Sequence, residues 1–125
     1  MGVIVEQALT RGVELHKAGK LDLAKQLYES VINLEPKNPA AHHNIGMIEM
    51  DTGEILNAIP LFKIALKENP NNEQYWLSYI DSLIRHEAIN DAENMLSQAK
   101  QRGAKGTAFN KLEKKIITLR AQLTN

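Results

Sequence analysis

Apolar residues recur every three or four positions along most of the chain and nowhere alternate with period two, which predicts helices and no strands. Leu9, Val13 and Leu15 mark a first helix that ends near Ala18-Gly19, and Leu23, Leu27, Val31 and Leu34 mark a second that stops before Pro36. The order then returns. Ile45, Ile48 and Met50 run to a break at Thr52-Gly53, and Ile55, Ile59, Phe62 and Leu66 run to a stop at Asn69-Pro70. A third pass reads Trp76, Tyr79, Ile80, Leu83 and Ile84, then Ile89, Met95 and Leu96. Gly ends helices because it accepts the left-handed conformation there, and Pro because the residue before it leaves the helical region. Pro60 lies within the second helix of the middle pass, near its start, and predicts a slight kink.

Sliding the sequence against itself by 34 residues superposes Gly12 on Gly46, Gly19 on Gly53, Pro36 on Pro70 and Asn38 on Asn72. Ala24 falls on Ala58 and Ala92, and Tyr28 on Phe62 and Leu96. Matched Gly and Pro are more telling than matched apolar residues, because each answers a backbone requirement. Three units follow, 5–38, 39–72 and 73–106. Beyond them, Phe109, Leu112, Ile116, Leu119 and Leu123 form an apolar stripe over 107–123, with Lys111, Lys114, Lys115 and Arg120 on its other side. That segment reads as a capping helix on the third unit. The expected architecture is a single all-α domain over 1–125, a right-handed α-solenoid of antiparallel helix pairs with about seven helices.

These residues resemble the tetratricopeptide repeats, whose unit is a 34-residue helical pair. The resemblance covers roughly four-fifths of the chain. Ile45-Gly46, Ala58, Phe62, Ala65 and Pro70 carry it in the second unit, Gly12, Ala24, Tyr28 and Pro36 in the first, and Trp76, Ala92 and Ala99 in the third. Arg11, Glu49, Ile80, Glu87 and Ala104 depart from the pattern, so the third unit is the least typical. The likeness implies a concave groove walled by the first helices. Carried across, its partner-binding residues are Leu9, Val13, His16 and Lys17, then His43, Asn44, Met47 and Met50, then Leu77, Asp81, Ile84 and Arg85. An apolar floor rimmed by both signs of charge suits an amphipathic helix or an extended segment of a partner protein. The carboxylate clamp of chaperone-binding relatives wants Lys, Asn, Asn, Lys and Arg where this chain has Leu9, Val13, Asn44, Gln74 and Ser78. Only Asn44 agrees, so binding to chaperone C-termini of that type is not expected.

Composition narrows the chemistry. Fifteen basic residues balance fifteen acidic ones over 125 residues, which removes the uniform basic field of a phosphate-tracking protein; no nucleic-acid partner is expected. Without cysteine there is no thiolate nucleophile and no Cys-ligated metal. His16, His43 and Asp51 are a conceivable metal set, but no zinc-protease spacing supports it, and no metal or cofactor is assigned. His42 reads as a packing histidine, and His86 as a charge suited to a helix C-terminus. No catalytic constellation is visible, so the chain reads as a non-enzymatic scaffold. The N-terminus lacks the basic region of a secretory signal, Glu6 stands where myristoylation wants Ser or Thr, and no apolar run approaches the roughly 20 residues of a membrane span. A cytoplasmic protein without membrane contact is expected. Two rivals stand beside the scaffold reading. The run Gln74–Ile80, with Gly103 and Gly106 before a Phe109-led helix, is similar to repeat blocks preceding bacterial glycosyltransferase or sulfotransferase domains. The stripe on 107–123 is also a coiled-coil signal, which leaves a self-assembling adaptor joined through the C-terminal helix.

Overall fold

The computed structural model describes residues 3–124. They form seven helices: α1 (Val3–Lys17), α2 (Leu21–Leu34), α3 (Pro39–Asp51), α4 (Ile55–Glu68), α5 (Glu73–Arg85), α6 (Ile89–Gln101) and α7 (Thr107–Leu123). Short connections turn each helix back on the one before it, so α1 packs on α2, α3 on α4 and α5 on α6. The first helices also touch in series, α1 with α3, α3 with α5, and α5 with α7. The result is an α-solenoid with α1, α3, α5 and α7 in one layer and α2, α4 and α6 in the other. No strand occurs among the described residues.

Local chemistry sets the boundaries. α1, α3 and α5 each close with an N–H returning to a carbonyl five residues back: Lys20 to Leu15 at 2.9 Å, Glu54 to Glu49 at 2.8 Å and Ala88 to Leu83 at 2.9 Å. The residue before each donor needs positive φ, which Gly19 (79°) and Gly53 (82°) supply freely and Glu87 (60°) supplies under strain. α2 and α4 stop just ahead of Pro36 and Pro70. In the third unit Ala104 stands in for that proline, and α6 instead closes through Gly103 (φ 96°) and an Ala104 N–H bond to Ala99 O at 3.0 Å. The following helices start on Asn38, whose Oδ1 accepts from Ala41 N at 2.9 Å, and on Asn72, whose Oδ1 accepts from Gln74 N at 2.9 Å. α4 runs unbroken through Pro60, an exposed residue in its second turn.

Packing follows the 34-residue frame. A Cβ added to Gly12 would lie 2.4 Å from Tyr28 Cε1, and one added to Gly46 would lie 2.5 Å from Phe62 Cε1. Each ring therefore lies against bare backbone. In the third unit both partners change: Ile80 replaces the glycine, Leu96 replaces the ring, and both are buried. Two apolar clusters result, one gathering Leu15, Tyr28, Val31 and Ile48 between α1, α2 and α3, the other running from Ala58 and Phe62 through Trp76 and Ile80 to Phe109 and Leu119. His42 Nε2 lies 2.8 Å from Pro36 O, and one repeat later Trp76 Nε1–H donates to Pro70 O at 2.7 Å. Different side chains thus tie the same turn to the same point on the next helix.

Several apolar positions of the sequence pattern lie outside the core. Leu23 and Leu34 are 51% and 62% exposed, because α2 buries the face carrying Ala24, Tyr28 and Val31. Leu123 is 50% exposed: α7 has 17 residues against 13 in α5 and α6, and its last turn extends past them. Glu49, buried in α3, is neutralised by Lys25 of α2 at 2.7 Å. Its hydrogen bond and charge hold the Lys25 ammonium above its ordinary pKa.

Candidate interaction groove

The inner layer opens into a cavity of about 370 Å³ between α3, α5 and α7. Met47 and Met50 come from α3, and Leu77, Asp81 and Arg85 from α5. These five, singled out in the sequence, meet around one space. Met47, Met50 and Leu77 are half-buried and rest on the larger apolar cluster, which gives the cavity an adaptable apolar floor. Ile84 is buried and lines an adjoining cavity of about 420 Å³ between α5 and α7.

The remaining sequence candidates lie elsewhere. Leu9, Val13, His16 and Lys17 are on α1 and do not line either cavity. Leu9 packs against the first cluster, and Val13 is partly exposed. His16 reaches across to α3, its Nε2 2.6 Å from Asp51 Oδ2, and so closes the α1 end of the groove with an ion-pair geometry. His43 departs from its expected open place on the groove wall. It is only 7% exposed, wedged between Phe62 and Tyr75 with ring centroids at 5.4 Å and 4.8 Å. Its Nε2 lies 2.8 Å from Ser78 Oγ, and burial pushes its pKa below the ordinary histidine value. Asn44 is half-buried, with Oδ1 3.4 Å from His43 Nδ1.

His16 and Asp51 come together, but His43 is turned to Ser78, and no group of three metal-ligating side chains forms among the described residues. The His43–Ser78 contact resembles a base beside a nucleophile. However, Ser78 lies in the middle of α5, where main-chain N–H groups are committed to the helix and none is free to hold an oxyanion. Gln74 Nε2 also donates to Ser78 Oγ at 3.1 Å, which marks the cluster as a satisfied polar contact in the groove wall.

The inner wall also includes α7, which the sequence pattern treats as a capping helix on the third unit. Ala108, Lys111 and Lys115 line the cavity between α3, α5 and α7 beside Leu112. A signal for this is present: continuing the 34-residue frame past 106 places Ala108, Lys111 and Lys115 on the positions that Ala40, His43 and Met47 hold in the second unit. The absence of Ala and Gly at the stacking positions hides it. Lys115 Nζ lies 3.6 Å from Asp81 Oδ1, and Arg85 Nε donates to Asp81 Oδ2 at 3.0 Å. Another cavity, about 430 Å³, lies at the turn edge between Pro70, Trp76 and Phe109. Of the two cations that line it, Arg102 is already bonded to Asn71 Oδ1 at 3.0 Å and lies over the Trp76 ring at 5.6 Å.

The sequence matches the tetratricopeptide repeat family over residues 9–38 and 39–72, just over half its length. The chain belongs to the tetratricopeptide repeat family. The third helical pair and α7 extend that match in space. No curated protein matches the sequence significantly. Among solved structures, the first TPR of Spaghetti (RPAP3) bound to the HSP90 peptide SRMEEVD is 16% identical, with a TM-score of 0.79 over 97% of this chain and 94% of that one. The TPR2B domain of yeast Sti1 in a pHsp70 complex is also 16% identical, with a TM-score of 0.79 over 96% and 98%. The P58(IPK) TPR domain reaches a TM-score of 0.82 at 17% identity, over 96% of this chain but 33% of that one. These similarities establish a shared fold. Among the described residues of this tetratricopeptide repeat chain, no helix is long and apolar enough to cross a membrane.

Proposed function

We propose that the chain is a non-enzymatic protein-interaction module that docks a helix or extended segment of a partner protein in its concave face. The observation that carries this reading is the half-buried floor of Met47, Met50 and Leu77, open between α3, α5 and α7 and rimmed by Asp81 and Arg85. Apolar anchors of a partner would be desolvated there, while the charged rim sets orientation. Units 5–38, 39–72 and 73–106 with the helix 107–123 act as one domain in this reading. Leu9, Val13, His16 and Lys17 continue the wall on α1 in this reading, and His43, Asn44 and Ile84 support it. Neither nucleic acid nor membrane is part of it, and the setting is cytoplasmic.

Two of the similar structures hold an HSP90 peptide or a pHsp70 complex. The reading departs from a clamp for a terminal carboxylate, because Leu9, Val13, Gln74 and Ser78 supply no cation at the positions where the family's clamp wants its donors. A groove ligand ending in a free carboxylate and its amidated twin should therefore bind equally. The test of the groove itself is affinity capture from the native host with the wild-type chain and with Met47→Glu combined with Leu77→Glu. Loss of the captured partners with an unchanged helical circular-dichroism spectrum supports the groove; an undiminished set of partners places the interface elsewhere.

A further inference from the structure

The cations around the α5–α7 cleft outnumber what the cleft itself neutralises. Its two adjoining cavities share Arg85 and Lys115 and together are lined by Lys111 and Lys114 as well. Among their acids, Asp51 is engaged by His16, and Asp81 by both Arg85 and Lys115. Glu87 lines the second cavity together with Lys114. Lys111 and Lys114 enter no ion pair among the described residues, although their neighbours Glu113 and Arg120 on the same helix are paired with Lys100 and Glu93 of α6. The charges of α7 thus divide by face. Those toward α6 are matched within the chain, and of the lysines toward the groove Lys115 is held by Asp81, which leaves Lys111 and Lys114 over.

Resting on the groove reading, we propose that the α5–α7 cleft recognises an acidic segment of a partner protein. One apolar residue of the segment sits on Met47, Met50 and Leu77, and internal carboxylates within about a helical turn of it meet Lys111 and Lys114. The floor favours a polypeptide over a nucleic acid: it presents thioether and aliphatic atoms, and its one ring, Phe62, is fully buried and offers no face on which a base could stack. Recognition of internal carboxylates needs no terminal group, which agrees with the absence of a cation at Leu9, Val13, Gln74 and Ser78. The electrostatic share of the binding weakens as salt rises, because both lysines are solvent-exposed.

The test uses fluorescence anisotropy on the full chain with a short acetylated and amidated peptide of leucines spaced by glutamates, its glutamine-for-glutamate twin, and an oligothymidine of similar length. The acidic peptide should bind about fivefold more tightly than the twin, a difference expected of two solvent-exposed ion pairs. Lys111→Glu combined with Lys114→Glu should erase that difference. The two side chains are exposed and unpaired, so the helical spectrum and melting temperature of the variant should be retained. Equal binding of the two peptides, abolished by Met47→Glu, overturns the acidic preference and leaves the groove reading standing. Binding of neither peptide also overturns the proposal, with the groove then judged by the capture experiment alone. Tighter binding of oligothymidine overturns the assignment to a protein partner.

Discussion

The first two helical pairs and the third solve the same packing problem with opposite choices of residue. In α1–α4 a glycine on the first helix makes room for a ring on the second, Gly12 under Tyr28 and Gly46 under Phe62. In α5–α6 the first helix carries Ile80 and the second carries Leu96, so bulk has moved across the interface. The turn chemistry shifts in parallel: Gly19 and Gly53 give way to a strained Glu87, and the proline that ends α2 and α4 gives way to Gly103 at the end of α6. What the repeat keeps is a filled contact between the paired helices and the hydrogen-bonded closure, and individual residue types are free to change when their partners change. The C-terminal pair is also covered by α7, whereas α1 presents Ile4 and Val13 partly to solvent.

The comparison can be broken most forcefully at Ile80. Ile80→Ala opens a cavity in the larger cluster and should cost about 3 kcal/mol in chemical denaturation. A loss well below 1 kcal/mol would mean that α5 and α6 do not depend on the exchanged bulk. Gly46→Ala should cost about 2 kcal/mol by overpacking the ring of Phe62, and adding Phe62→Leu should recover part of that loss. A double-mutant cycle with no coupling would contradict the exchange.

The buried imidazole of His43, against Phe62 and Tyr75, gives a pH dependence. His43 is held below the ordinary histidine pKa of 6.5 by burial, so the unfolded chain takes up the proton first. Stability should be level above the unfolded value, fall as pH drops through it, and stop falling from this source below the folded value. Urea midpoints for the wild type and His43→Gln between about pH 8 and about pH 5 check this, and the variant should show a shallower acid slope. The smallest effect is at the third turn: Glu87→Gly should raise stability by about 0.5–1 kcal/mol by relieving positive φ, whereas Gly53→Glu, its mirror in the second unit, should lower it.

The helical pairs were legible in the sequence because Gly, Pro and Asn recur at a fixed offset and each meets a backbone requirement that survives divergence. The lining shared by α3 and α5 was legible for the same reason, since the frame puts Met47, Met50, Leu77, Asp81 and Arg85 around one cavity. His43 was misplaced because periodicity gives the side of a helix and not its depth; Phe62 and Tyr75 close over that ring from neighbouring helices. α7 was read as a capping helix alone because its stacking positions lack Ala and Gly. It packs through Phe109, Leu112 and Ile116, which are buried in the larger cluster. The pairing of Glu49 with Lys25 was invisible, since it joins residues 24 apart in sequence that meet only once α2 and α3 have packed.

The most direct test of the groove is site-specific photo-crosslinking in the native host, with a photoreactive amino acid in place of Leu77 on the groove floor or of Leu56, 67% exposed on the outer helix α4. The account predicts a discrete partner adduct from position 77 and none from position 56. Adducts from position 56 with none from position 77 would contradict it.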